Sequence, residues 1–237
     1  NFKTIVNFFR AIKKAKKIIK DFNPDIVIGV GGYVTAPVIY SAKKLGYKTF
    51  VHEQNSIPGL ANRFLSRYAD IIGVSTPNTI NYFPRRKVIL TGNPCSEAAI
   101  VKKAIDKKIY NLATDKKLVL IVLGSLGSRV LNERIVKSLA LFNNKEYQVL
   151  YVTGKGYYET TIKNNKVPSN VRVVPYIENL VCTIKVADLI VSRAGATTLS
   201  EITALGIPSI LIPSPHVTNN HQMKNALELS AKGATII

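Results

Sequence analysis

Two stretches of this chain concentrate side chains that can bind and polarise a ligand: Gly31-Gly32-Tyr33-Val34-Thr35-Ala36-Pro37 and His52-Glu53-Gln54-Asn55-Ser56-Ile57-Pro58-Gly59-Leu60-Ala61-Asn62. Each begins where an apolar, β-branched run stops and leads into a helical pattern, the junction at which open α/β sheets place ligands. Glycines there let backbone N–H groups approach an anion, and the following helix adds its positive N-terminal end. His52 and Glu53 are neighbours on a strand end, so their side chains point to opposite faces and form no ready His–carboxylate pair. One can face a ligand while the other holds the loop; His52 is read either as a chemical group or as a structural histidine.

Three more stretches lie further along. Gly124-Ser125-Leu126-Gly127-Ser128-Arg129 follows a strand and opens a helix. It lacks the Lys-Ser/Thr pair of a P-loop and the third glycine of a dinucleotide fingerprint. What it offers is free N–H groups and a Ser hydroxyl for a phosphate, or a plain tight turn. In Ser192-Arg193-Ala194-Gly195-Ala196-Thr197-Thr198-Leu199-Ser200-Glu201, small residues bring backbone close to an occupant. Glu201 shares a helix face with Thr197, where a carboxylate either accepts from a ribose diol or complements the helix dipole. The loop from Pro213 to His221-Gln222 caps a helix, and Gln222 and Asn225 either bind hydroxyls or cap.

These loops need a scaffold, and the apolar spacing supplies one. Ile5, Phe8, Phe9, Ile12, Ala15 and Ile19 recur on one helical face, with Lys13, Lys14, Lys16, Lys17 and Lys20 between and after them. Asn23-Pro24 ends that helix. Short apolar runs then predict strands over 25–30, 48–51, 70–74 and 87–90, with helices over 36–45 and 60–68. A second block predicts strands over 118–123, 149–153, 171–174, 189–192 and 209–212 and a last strand. Its helices fall over 129–142, 180–186, 197–205 and 222–232. Continuous rather than alternating apolar runs suit parallel strands covered on both faces. The expected architecture is α/β: two Rossmann-like, doubly wound parallel-sheet domains facing a cleft. Residues 1–94 form the first, 95–117 an inter-domain segment, and 118–237 the second.

Bulk properties narrow the partners. Thirty-three Lys+Arg against fourteen Asp+Glu give a formal charge of +19, a field that attracts polyanions unless the lysines merely fill exposed positions. No aromatic residues interleave the lysine pairs, which argues against nucleic acid as partner. Cys95 and Cys182 are isolated, and His52, His216 and His221 have no partner at metal-ligand spacing, so no metal site is expected. No apolar run approaches the ~20 residues of a membrane-spanning helix. The chain opens on Asn1 and stops mid-strand at Ile237, and is read as an internal fragment lacking both ends of its fold.

Taken together, Gly31-Gly32-Tyr33-Val34, His52-Glu53-Gln54-Asn55, Pro58-Gly59-Leu60-Ala61-Asn62, Gly92-Asn93-Pro94, Gly124-Ser125-Leu126-Gly127, Ser192-Arg193-Ala194-Gly195 with Glu201, and His221-Gln222 resemble the MurG family of peptidoglycan N-acetylglucosaminyltransferases, in that family's order. The resemblance implies a GT-B glycosyltransferase of family 28 that is inverting and needs no cofactor or metal. UDP-N-acetylglucosamine would be the donor and lipid I the acceptor. Ser125 with the N–H groups of Gly124 to Gly127 would meet the donor diphosphate, with Arg193 close by. Ile177 would present backbone to the uracil, Glu201 would hold the ribose, and Gln222 the sugar hydroxyls. Gly31, Gly32 and Tyr33 would lie near the acceptor diphosphate, with His52, Glu53, Asn55 and Asn62 lining the same cleft.

The family's proposed base would precede Asn1, leaving His52 and Glu53 as the catalytic candidates here. Ser96 stands where the family has an arginine, and Met223 where it has a second glutamine. The same resemblance implies a peripheral protein on the cytoplasmic face of the bacterial membrane. There Phe8, Phe9, Ile12 and the helix lysines would meet anionic lipid, unless that apolar face is simply buried. Cell-wall or division proteins would be further partners. The alternatives are a UDP-N-acetylglucosamine 2-epimerase and a non-catalytic UDP-sugar-binding scaffold.

Overall fold

The computed structural model describes residues 2–124 and 128–237. They divide into two compact units, Asn1–Asn93 and Pro94–Ile237. The first unit runs α1 (Phe2–Phe22), β1 (Ile26–Gly29), α2 (Thr35–Lys44), β2 (Lys48–Glu53), α3 (Leu60–Leu65), β3 (Ile71–Val74) and β4 (Val88–Leu90). Its sheet is parallel throughout, in the sequential order β1-β2-β3-β4. Ile39, Val51, Leu65, Ile72 and Val74 form its core. Ala15 and Ile19 of α1 pack with Ala42 of α2, while Phe9 stays 64% exposed.

The second unit contains α4 (Pro94–Val101), β5 (Leu118–Val122), α5 (Arg129–Ser138), β6 (Gln148–Val152), α6 (Tyr158–Asn164), β7 (Val171–Val174), α7 (Leu180–Ile184), β8 (Leu189–Ser192), α8 (Ala196–Leu205), β9 (Ser209–Leu211), α9 (His221–Ser230) and β10 (Thr235–Ile236). Its parallel sheet has the order β10-β9-β8-β5-β6-β7. Alternate strand residues feed two cores. Leu118, Leu120, Val122, Leu150 and Ile190 lie on one face, and Ile121, Val149, Tyr151 and Val171 on the other. Burial pushes the Tyr151 hydroxyl pKa up, and that hydroxyl donates to the Asn132 side chain.

Residues 95–117, expected as an inter-domain segment, lie within the second unit. Ser96 Oγ donates to the Ser200 carbonyl (3.2 Å), Lys185 Nζ to the carbonyls of Ile100 (2.7 Å) and Lys102, and Ile105 N–H to Cys182 O (3.1 Å). The helix α6, absent from the sequence expectation, bridges β6 and β7. Helix α3 stops at Leu65 rather than 68, and β2 extends through His52 and Glu53.

Candidate functional site

In the first unit the loop after β1 turns through Gly31 (φ +94°) and Gly32 (φ +78°), a backbone that L side chains rarely adopt. Thr35 Oγ1 donates back to the Gly31 carbonyl, and Tyr33 projects into solvent. His52 and Glu53 end β2 and are both buried. Gly73 sits opposite His52 in the register. A Cβ there would lie 3.0 Å from His52 Cδ2 and 2.6 Å from the Phe50 ring, so glycine makes room for both.

The His52 ring nitrogens are both engaged. Nε2 lies 2.9 Å from the Gly92 carbonyl and Nδ1 lies 3.1 Å from Gln54 Nε2. A carbonyl only accepts, so Nε2 carries the proton and Nδ1 accepts from the Gln54 amide. Glu53 accepts at Oε1 from Asn55 N (3.0 Å) and Asn55 Nδ2 (3.1 Å), and at Oε2 from Gly59 N (3.0 Å) and Asn62 Nδ2 (2.8 Å). Asn62 Nδ2 also reaches the His52 carbonyl at 3.2 Å. The structure thus brings His52, Glu53, Asn55 and Asn62 together as a network that ties the loop onto β2 and α3. Gly31 touches this network, since a Cβ on it would sit 3.5 Å from Asn62 Nδ2.

The second unit is arranged differently. Strand order reverses between β5 and β8, and at such a switch point the loops leave in opposite directions and open a crevice beyond the carboxyl ends. A cavity of about 540 Å³ lies there. Val122, Leu123 and Gly124 reach it from β5, Val152 from β6, Tyr176 to Glu178 from β7, and Ser192, Arg193 and Gly195 from β8. Thr198 of α8, Ser214 and Gln222 complete its wall.

Arg193 donates from Nη1 to the carbonyls of Ile212 (3.1 Å) and Pro213 (3.2 Å) and from Nη2 to Ser128 Oγ (3.2 Å). Those partners are neutral, and no carboxylate pairs with it among the described residues. Burial pulls its pKa down, yet a guanidinium stays charged, so the pocket wall carries a cation in no ion pair among the described residues. Gln222 Oε1 accepts from Ser214 N–H at 2.8 Å. Its Nε2 therefore has no partner among the described residues. At the pocket mouth Lys155 Nζ stands 5.3 Å from the centre of the Tyr176 ring.

Of the donor-site expectations, Gly124, Ile177, Arg193 and Gln222 meet in one pocket. Ser125 and Gly127 lie outside the described residues. Glu201 sits one turn beyond the lining residue Thr198, half-buried; burial pushes its carboxyl pKa up and the nearby Lys102 charge opposes that. Tyr176, Glu178, Thr198 and Ser214 were missed from sequence. Tyr176 and Glu178 directly follow β7, and a search of every strand's carboxyl end would have found them. Among the described residues no three of His, Cys, Asp and Glu converge to hold a metal ion, and no helix is long and apolar enough to cross a membrane.

Comparison with known proteins gives concordant results. Residues 118–237 match the glycosyltransferase family 28 C-terminal domain and residues 1–74 the glycosyltransferase family 28 N-terminal domain. A Bacillus cereus relative, UDP-N-acetylglucosamine--N-acetylmuramyl-(pentapeptide) pyrophosphoryl-undecaprenol N-acetylglucosamine transferase 1, is 49% identical over 99% of this chain and 65% of its own. A Halalkalibacterium halodurans protein of the same description, without the numeral, is 50% identical over 100% and 66%. The crystal structure of Acinetobacter baumannii MurG superposes with a TM-score of 0.76 at 32% identity, covering 97% of this chain and 64% of that one. A Neisseria meningitidis UDP-GlcNAc 2-epimerase bound to UDP-GlcNAc, at 16% identity and a TM-score of 0.68 over 97% and 68%, shares the fold alone. The chain thus spans about 65% of the length of the Bacillus cereus relative.

Proposed function

The chain belongs to glycosyltransferase family 28, and on that footing we propose that it serves the transfer of N-acetylglucosamine from UDP-N-acetylglucosamine to the muramyl 4-hydroxyl of lipid I, giving lipid II with inversion. The observation that carries this reading is the cavity at the β5/β8 switch point, where Arg193, Ile177 and Gln222 converge. Its unpaired guanidinium suits a diphosphate. The exposed Tyr176 ring at its mouth suits a nucleobase, which stacks on aromatic faces, and the free Gln222 amide suits a sugar oxygen. In a single displacement the acceptor hydroxyl attacks the anomeric carbon, the bond to the diphosphate breaks, and the hydroxyl proton passes to a general base or to water as UDP leaves. The Arg193 charge and the loop N–H groups lower the cost of the negative charge that grows on the departing UDP.

On the acceptor side, the glycine loop and the His52–Asn62 network are the residues proposed to face lipid I. With both His52 ring nitrogens engaged and Glu53 saturated by donors, these two shape that surface rather than move protons. The epimerase alternative is disfavoured because the epimerase structure shares the fold alone at 16% identity, against 49% for the Bacillus cereus transferase. The exposed Phe9 and the lysines of α1 support a peripheral place on an anionic membrane face. Exchanging Phe8 and Phe9 for Ser should then reduce co-sedimentation with anionic liposomes.

Calorimetric titration of the chain with UDP-N-acetylglucosamine beside UDP-glucose tests the donor reading. Saturable binding that favours the N-acetyl sugar is expected; absence of binding to either would overturn it.

A further inference from the structure

A hydrogen-bonded circuit in the second unit links the pocket wall to α9. Arg193 grips the carbonyls of Ile212 and Pro213, Ser214 N–H is held by Gln222 Oε1, and Asn225 Nδ2 donates to the Ala194 carbonyl at 3.3 Å. Arg193 adjoins Ala194 and Pro213 adjoins Ser214, while Gln222 and Asn225, three apart, share one face of α9. The bonds therefore close on themselves through two loops and one helix.

Asn225 is 5% exposed and does not line the pocket. It adjoins Ala226 and bonds to Ala194, two members of a small buried apolar cluster, and a hydrogen bond buried there is costly to lose. The start of α9 is reached through two left-handed residues. It follows Asn219 (φ +56°) and Asn220 (φ +50°), and Asn220 makes no side-chain cap bond to the helix. Without an Asn220 side-chain cap, the bond from Asn225 one turn further along is a fixed point that sets the direction of the Gln222 face.

We propose that Asn225 is a positioning residue: it pins α9 to the β8–α8 loop and so aims the free Gln222 Nε2 amide at an acceptor oxygen of the donor sugar. The Gln222 oxygen is already committed to Ser214 N–H, so only the amide's donor end meets the sugar. This rests on the donor-binding reading given above.

The test is calorimetry on the 237-residue chain with UDP-N-acetylglucosamine and with UDP, comparing Gln222→Ala, Asn225→Ala, Asn225→Asp and the double alanine variant. Gln222→Ala should lose about tenfold in affinity for the UDP-sugar and little for UDP, as expected when one hydrogen bond to the sugar goes. Both Asn225 variants should show the same sugar-selective loss, and the double variant should be no weaker than Gln222→Ala alone, because the two side chains act through one contact. Multiplying losses, or an equal fall in UDP affinity, would overturn the positioning role while leaving the donor reading intact. A wild-type chain that binds neither ligand overturns both. Where the alanine variant does not fold, as judged by circular dichroism, Asn225→Asp carries the test alone, since it keeps the shape and removes the Nδ2 donor.

Discussion

Each unit fastens two of its strands with an aspartate and then treats its loops in the opposite way. Asp70, just before β3, accepts from Thr49 N and Thr49 Oγ1 of β2, both at 2.9 Å, and Asp188, just before β8, accepts from Leu118 N of β5 at 2.8 Å. Beyond that shared device, the first unit's sheet runs in sequential order and its polar loop is closed by its own side chains, above all Glu53. The second unit's sheet reverses at β5 and β8 and leaves an open cavity lined by an unpaired arginine and a half-committed glutamine. Glu53 and Asn62 are spent on fastening their own loop, whereas Arg193 and Gln222 line the cavity at the switch point; Asn132, Gln148 and Asn225 of the same second unit are fasteners as well. Residue type alone does not tell the two uses apart; the place relative to the switch point does.

The largest break in that comparison should come from Glu53→Ala. It would remove the one acceptor shared by Asn55, Gly59 and the buried Asn62, four hydrogen bonds to a charged group, at a cost of about 3 kcal/mol or more. Urea unfolding with hydrogen exchange of the β2 and α3 amides would read it. Gln222→Ala should cost under about 1 kcal/mol of stability by the same measurement, since only one hydrogen bond is lost. Equal costs would erase the distinction between fastener and ligand-facing group.

Next comes Glu201→Gln, expected to weaken UDP-N-acetylglucosamine binding by about tenfold if the carboxylate holds the ribose. Burial raises the Glu201 pKa against the opposing Lys102 charge, so the folded chain holds that proton more tightly than the unfolded chain does. The sign follows: whatever stability protonated Glu201 contributes is present at low pH and lost as pH rises through the folded pKa. The Gln variant should therefore match or exceed wild type in thermal stability at pH 7 and lose that advantage near pH 4. A variant less stable at pH 7 would contradict the desolvation account.

Two glycines sharpen the contrast at smaller amplitude. Gly31→Ala forces a side chain into φ +94° against Asn62 and should cost about 1–2 kcal/mol in stability. Gly195 has φ −71° and open space around its missing Cβ. Gly195→Ala should leave the melting temperature nearly unchanged while its methyl group intrudes on the pocket and weakens ligand binding.

The smallest effect concerns acid. Burial raises the Asp70 pKa, but hydrogen bonds from Lys43 and Thr49 outweigh it and hold the carboxyl below its ordinary value; the Lys117 hydrogen bond does the same for Asp188. A depressed carboxyl pKa gives stability that is present above the unfolded value, near 3.9, and lost as pH falls through the folded one. Asp70→Asn and Asp188→Asn should each lower stability above about pH 6, flatten the acid limb of the stability curve, and converge with the wild type as pH falls below about 4.

Much of this was legible in the sequence. The apolar runs located every strand of both sheets to within a few residues, because buried parallel strands are continuous in β-branched residues. The loops at their ends drew notice through glycine and amide content. Helix α6 was missed because Thr161 is its only fully buried residue, which leaves no apolar stripe to read. Helix α4 was missed for a similar reason, with Ala99 its one buried position. Glu53's partners lie within nine residues of it, yet nothing in residue type says that a carboxylate will be spent on its own loop. Tyr176 carries no such mark, because a pocket's wall is set by sheet order that only the fold supplies.

The fastening of α4 bears on how such chains can be recombined. Ser96 to the Ser200 carbonyl, Lys185 to the carbonyls of Ile100 and Lys102, and the buried Ala99 make residues 94–105 part of the second unit. A chimera that exchanges donor halves between relatives should be joined between Asn93 and Pro94. A splice at Leu118, where the first strand of that half begins, would set one parent's α4 against the other's α8 and leave both with a mismatched lining.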